Sequence, residues 1–229
     1  MKWGIIGAMD SEVELIKSSL TDSTDLSLGF VTFTQGKYKN EEIVICSSGI
    51  GTVNAAVNAQ LMIERFNVDC IINTGIAGAA DDRLGVMDVV VSSEVIYHDR
   101  AEDPYTKFPP YKISFDANKA LIERAEKAIT QLHGKAPMVG RIATGDVFVT
   151  DSALKASIVE KCHPLCVEME GAAIAQVAFM NSLPFIIVRT MSDSADDEGA
   201  ETYDNFFAVA AQRSGEILLK MFEMGSIEL

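Results

Sequence analysis

The sequence predicts an α/β domain in which a mostly parallel sheet lies between layers of helices, and three observations predict it. Apolar runs alternate with amphipathic stretches from one end of the chain to the other. The 229 residues, 48% of them hydrophobic and only six of them proline, suffice to bury one substantial core, so residues 1–229 read as a single domain. No internal repeat, linker or low-complexity tract interrupts the pattern.

Residues 2–7, KWGIIG, read as a buried strand, followed by a helix over 11–20. The apolar runs 29–36 and 42–48, joined by the turn-like KYKNEE, predict an antiparallel hairpin grafted onto the sheet. A helix over 52–66 and strands over 69–74 and 86–96 come next. Residues 98–115, HDRAEDPYTKFPPYKISF, are aromatic, proline-rich and too irregular for either element, so they read as a loop. Its Tyr105, Phe108 and Tyr111 suit an oligomer interface, and a loop folded on its own surface fits them equally. In the helix over 117–131 and the residue just past it, Leu121, Ala125, Ala128, Ile129 and Leu132 recur three or four apart and share one face. Strands over 138–144, 165–168 and 184–190 and helices over 152–161, 169–181 and 203–222 complete the alternation.

The charge balance narrows the partners. With 33 acidic against 19 basic residues the formal charge is −14, which repels phosphate backbones and anionic lipid and leaves a small molecule as the expected ligand. No apolar run approaches the ~20 residues of a membrane span, and the stretch between Lys2 and Asp10 is too short for a secretory signal, so a cytoplasmic protein is expected. Of Cys46, Cys70, Cys162 and Cys166, two lie in apolar strand-like runs, which suits buried reduced thiols. CHPLC brings Cys162, His163 and Cys166 together, but His98 and His133 lie far off in sequence and no fourth ligand is evident, so no metal is expected.

Acids sit in places where charge is costly. Glu168 and Glu170 fall within the apolar stretch CVEMEGAAIAQVAFM, Asp193 ends the run PFIIVRTMSD, and Glu12 follows the first strand. A parallel sheet presents its binding crevice just after its strands. If Glu12, Glu170 and Asp193 converge there, repulsion and desolvation raise at least one pKa, and a carboxylate that activates water beside an acid that protonates a leaving group can hydrolyse a glycosidic bond. The same residues read equally well as first-turn helix acids, for Glu12 and Glu170, and as part of the solvated run SDSADDEGAE, for Asp193. Three glycine-containing turns, in GIIGAM, SSGIGTVNAA and NTGIAGAA, could bring backbone close to a ligand. Gly4 and Gly7 lack the third glycine of a dinucleotide fingerprint, and no Walker lysine follows any of the three, which disfavours a phosphate cradle.

GIIGAMDSEVELI, SGIGTVNAA, INTGIAGA, TGDVFV, VEMEGAAIAQVA, VRTMSDSAD and YDNFFAVAA, in that order over nearly the whole chain, together resemble the bacterial 5′-methylthioadenosine/S-adenosylhomocysteine nucleosidases of the nucleoside phosphorylase superfamily. The resemblance implies a three-layer nucleoside phosphorylase-like fold, with a mixed central sheet and a distorted barrel flanked by helices. It implies hydrolysis of the N-glycosidic bond of both nucleosides, releasing adenine and methylthioribose or S-ribosylhomocysteine, with no cofactor. It also implies a homodimer in which an aromatic loop of one subunit, here carrying Tyr105, closes the neighbour's pocket.

Carried over by position, Glu12 would activate the attacking water, Asp193 would protonate nitrogen 7 of adenine, and Glu170 would accept hydrogen bonds from the ribose hydroxyls. Met169 would pack beneath the ribose, Phe148 would stack on adenine, and the Val149 backbone would meet the base edge. Arg189 would orient Glu12 and its water, Ser192 would hold Asp193, and Gly78 would let backbone approach the ligand. Met9, Ile50 and Tyr203 would line the slot for the sulfur substituent. Related phosphorylases carry an arginine where this chain has Asn73, so water is the expected nucleophile. Two features depart from the family pattern: Ile76 stands where serine is usual, and the 98–115 loop differs. These leave room for a nucleosidase of another 5′-substituted adenosine, such as aminodeoxyfutalosine, or for a binding module that has lost catalysis.

Overall fold

The computed structural model describes residues 1–197 and 199–229; Glu198, in the acidic run after Asp193, lies outside them. In chain order the elements are β1 (Lys2–Gly7), α1 (Asp10–Ser18), β2 (Thr21–Leu28), β3 (Val31–Tyr38), β4 (Glu41–Ser47), α2 (Thr52–Phe66), β5 (Cys70–Ala79) and β6 (Val89–Tyr97). There follow α3 (Glu102–Lys107), β7 (Ser114–Asp116), α4 (Lys119–His133), β8 (Met138–Thr144), α5 (Ser152–Cys162), β9 (Cys166–Glu168), α6 (Gly171–Met180), β10 (Phe185–Asp193) and α7 (Gly199–Phe222).

One mixed sheet runs β10-β6-β8-β9-β5-β1-β4-β3-β2, and a further pairing of β10 with β5 closes its first part into a barrel. β1 pairs in parallel with β4 and β5, and β5 in parallel with β10, whereas β6 meets β10 and β9 meets β5 in antiparallel fashion. Successive residues of the central strands serve opposite faces, as the period of two requires. Ile5, Ile43, Ile45, Ile72 and Ile186 pack with Leu121 and Ala125 of α4 and Ile217 and Leu218 of α7. Their neighbours Ile6, Val44, Cys46, Ile71 and Ile187 pack instead with Ala55 and Met62 of α2 and Ile174 of α6. Helices therefore cover both faces, giving the three-layer fold with a barrel that the resemblance implies.

Four features differ from the sequence expectation. β2 was not expected: TDSTDLSL is exposed along nearly its whole length at the sheet edge, so neither face carries an apolar signal. NTGIAGA, read as a glycine turn, continues β5 as a fully buried strand, its glycines serving close approach rather than a reversal. Residues 98–115 are not wholly loop, since they contain α3 and β7. The last helix begins at Gly199 rather than at 203. Among the described residues no helix is long and apolar enough to cross a membrane, and no cluster of His, Cys, Asp or Glu could hold a metal ion. All four cysteines are free and buried.

Candidate active site

Because β1, β5 and β10 run parallel, their carboxyl ends reach one edge of the sheet, and the chain leaving each of them lines a common cavity of about 320 Å³. That volume suits a ligand of nucleoside size. Its wall is mainly apolar, with the carboxyl groups of Glu12, Glu170 and Asp193 set into it.

Glu12 lies in the first turn of α1, which begins directly after β1. Its Oε2 accepts the backbone N–H of Ala8 at 2.7 Å and of Met9 at 2.9 Å, and its Oε1 accepts that of Ile76 at 3.0 Å. The two sequence readings of Glu12 therefore coincide, since the acid that caps the helix also faces the cavity. Burial raises its pKa, opposed by the charge of Arg189 and by the three N–H donors. A Cβ on Gly75 would fall on this carboxylate, which explains the glycine.

Asp193 ends β10 beyond a bulge between Met191 and Asp193, an irregularity of the kind that re-aims a side chain. Ser192 Oγ donates to its Oδ2 at 2.7 Å and the Ala195 N–H to its Oδ1 at 2.8 Å. Burial raises its pKa against these bonds. Gly78, its partner across the ladder, leaves the necessary room, as a Cβ there would come within 2.8 Å of Asp193 Oδ1.

Glu170 immediately precedes α6. Its Oε1 accepts the Gly51 N–H at 2.9 Å and its Oε2 lies 3.6 Å from Arg189 Nη2. Burial, and then the neighbouring Glu168 charge, push its pKa up to about 8 against the pull of Arg189. Glu168 points into the protein: Thr144 Oγ1 and Arg189 Nη2 donate to it in very short bonds, and the N–H groups of Glu170 and Gly171 add bonds at 3.1 and 2.7 Å.

Beside the acids the wall is aromatic. Phe148 meets Tyr203 edge-on at 5.3 Å, Tyr203 stacks on Phe207 at 5.6 Å, and the Tyr203 hydroxyl lies 3.5 Å from Met9 Sδ. Ile50 and Phe148 are half-exposed at the mouth, while Val149 is buried. Met169 and the side chain of Ile76 complete the wall.

Eleven of the residues singled out from sequence thus line one cavity: Glu12, Asp193, Gly78, Phe148, Val149, Met169, Glu170, Ser192, Met9, Ile50 and Tyr203. Two do not. Arg189, expected to orient Glu12, is buried behind the wall with Nη2 bonded to Glu168 and, at 2.5 Å, to Asn73 Oδ1; no hydrogen bond or ion pair joins it to Glu12. Its Nε and Nη1 have no hydrogen-bond partner among the described residues. Tyr105 lies away from the cavity, in α3, stacked on Tyr97 at 6.5 Å. Sequence reasoning missed Val147, Val167 and the anchoring role of Glu168; the only signal for Glu168 was a second acid in one apolar run.

Held together in this way, three carboxyl groups in an apolar cavity cannot all stay ionised at neutral pH, which equips the site to give and accept protons. The family model of the phosphorylase superfamily matches residues 2–223. Over 219 residues the chain is 40% identical to the 5′-methylthioadenosine/S-adenosylhomocysteine nucleosidase of Staphylococcus aureus, covering 93% of this chain and 95% of that one. The corresponding nucleosidase of Colwellia psychrerythraea, solved in complex with adenine, superposes with a TM-score of 0.92 at 39% identity, over 97% of this chain and 95% of that one. That of Neisseria meningitidis, solved with methylthio-immucillin-A, gives 0.92 at 35% identity, over 97% and 98%.

Proposed function

The chain belongs to the phosphorylase superfamily and, within it, to the 5′-methylthioadenosine/S-adenosylhomocysteine nucleosidases, and from that premise we propose that it hydrolyses the N-glycosidic bond of these two nucleosides to release adenine. The observation that carries the reading is the convergence of Glu12, Glu170 and Asp193 in one apolar cavity, each held by at least one backbone N–H.

In this reading Asp193, whose pKa burial raises, gives a proton to nitrogen 7 as the bond to the ribose breaks. The leaving base then departs without a full negative charge, and the sugar develops oxocarbenium character. Glu12 takes a proton from the attacking water; its raised pKa makes it a stronger base once ionised. Arg189 Nη1, buried and near Gly75, offers a donor on the same side. Glu170 accepts hydrogen bonds from the ribose hydroxyls, Phe148 stacks on the base, the Val149 backbone meets the base edge, and Met169 supports the ribose. Met9, Ile50 and Tyr203 take the sulfur substituent. A carboxylate at the attacking position repels phosphate, which supports water as the nucleophile.

We also propose a homodimer. Exposed apolar side chains support it: Val53 and Val57 on α2, Phe179 and Met180 on α6, and Phe108 and Tyr111 beyond α3 all stand in solvent. Tyr105 would reach a neighbour's cavity from that side. Four buried thiols suit a cytoplasmic setting.

The test is adenine release from methylthioadenosine, S-adenosylhomocysteine, adenosine and aminodeoxyfutalosine. Release fastest with a thio substrate supports the proposal. Release from aminodeoxyfutalosine alone moves the activity to another 5′ substituent, and tight binding without release makes the protein a binding module.

A further inference from the structure

Glu168 is the one cavity acid for which this reaction has no use, and its surroundings give it a different task. Its side chain is buried and saturated by four donors from three elements: Thr144 at the end of β8, Arg189 on β10, and the N–H groups of Glu170 and Gly171 at the start of α6. Thr144 Oγ1 in turn accepts the Ala172 N–H at 2.8 Å, and Asn73 takes the same Arg189 nitrogen. A Cβ on Gly171 would lie 3.0 Å from Glu168 Oε1, so the glycine after Glu170 makes room for this carboxylate rather than for a ligand.

Resting on the nucleosidase reading, we propose that Glu168 is a positioning residue, which draws the Arg189 guanidinium out of direct contact with Glu12 and anchors the Glu170 backbone so that Glu170 faces the ribose hydroxyls. The charged groups around Glu170 are Glu168 from β9, Arg189 from β10, Glu12 from α1, and Asp146, which binds the Thr52 N–H beside Gly51 at 2.7 Å. Glu168 is the nearest negative charge in sequence and shares its cation. Removing that charge relieves repulsion on Glu170 and frees Arg189 toward Glu12, so both carboxyls ionise at lower pH.

The experiment compares wild type with Glu168→Gln, which keeps the shape and loses the charge. Two readouts are taken: the pH profile of kcat/KM for methylthioadenosine, and the titration of Glu170 by carboxyl ¹³C NMR in the free protein. The acid limb and the Glu170 titration should both move down by about one pH unit, with KM raised several-fold. Glu168→Asp, which keeps the charge but pulls the carboxylate back, should lower kcat/KM by about tenfold with the limb unmoved. If Glu168→Gln does not fold, this second variant decides, and wild-type kcat/KM in it overturns the proposal. An active wild type with superposable profiles and titrations overturns the positioning role alone. A wild type that releases no adenine overturns the nucleosidase reading, and the Glu170 titration then decides on its own: an unchanged midpoint refutes the role of Glu168.

Discussion

The acidic and the aromatic linings of the cavity are built on different principles. In the acidic lining, the oxygens of Glu12 and Asp193 and one oxygen of Glu170 are held by backbone N–H groups and the Ser192 hydroxyl, each bond near 3 Å. In the aromatic lining, Phe148 and Tyr203 meet through their rings alone, and Ile50 and Phe148 stand half in solvent. Backbone-anchored groups tolerate little change in geometry, whereas apolar contacts can be repacked at small cost. Catalysis should therefore fail sharply when the acidic lining is altered, and substrate range should shift gradually when the aromatic lining is.

The largest effect should come from Asp193→Asn. Without its proton donor the leaving adenine carries charge, and kcat should fall by about 10³-fold while calorimetry still detects binding of methylthioadenosine. Glu12→Gln should act comparably. Near-normal turnover in either variant would break the division between the two linings.

Next comes Glu170→Gln. Ribose hydrogen bonds count in both ground and transition states, so KM should rise and kcat fall, each by about tenfold, in initial-rate measurements. Unchanged constants would place Glu170 outside the reaction.

A smaller effect concerns stability. Burial raises the pKa of Glu12, Glu170 and Asp193 in the folded chain, that of Glu170 to about 8, so the native state binds more protons than the unfolded one between the unfolded values and the folded ones. Stability is then fullest below the usual carboxylate range and is lost as pH rises toward about 8. Thermal melts should show Tm falling by a few degrees from pH 5 to pH 8, and Glu170→Gln should flatten that slope.

Mildest of all should be Ile76→Ser. Its backbone N–H, not its side chain, holds Glu12, and the side chain packs against Met9 and Tyr203. The variant should stay within about tenfold of wild-type kcat/KM while changing the preference between the two thio substrates.

The same contrast governs what could be read in the sequence. Glu12 and Asp193 were legible because each lies just after or at the end of an apolar run, where topology puts strand ends on one edge, whereas Ser192 came only with the family resemblance. The three layers followed from the alternation of apolar runs such as KWGIIG with amphipathic stretches, and helices do cover both faces of the sheet. Arg189 was legible as present but not as buried behind the wall, because only the pairing of β10 with β5 and β6 turns it toward Glu168. Glu168 and Glu170 look equivalent in sequence, and the change from strand to helix between them sends one inward and leaves the other facing the cavity. β2 escaped because an exposed edge strand has no apolar face, and α3 because a six-residue helix without a buried residue has no periodic signal.

The central claim is that water, not phosphate, attacks the sugar. Mass analysis of the sugar formed from methylthioadenosine in phosphate buffer tests it most directly. The account predicts free methylthioribose in an amount equal to the adenine released, whatever the phosphate concentration, and a sugar 1-phosphate would contradict it.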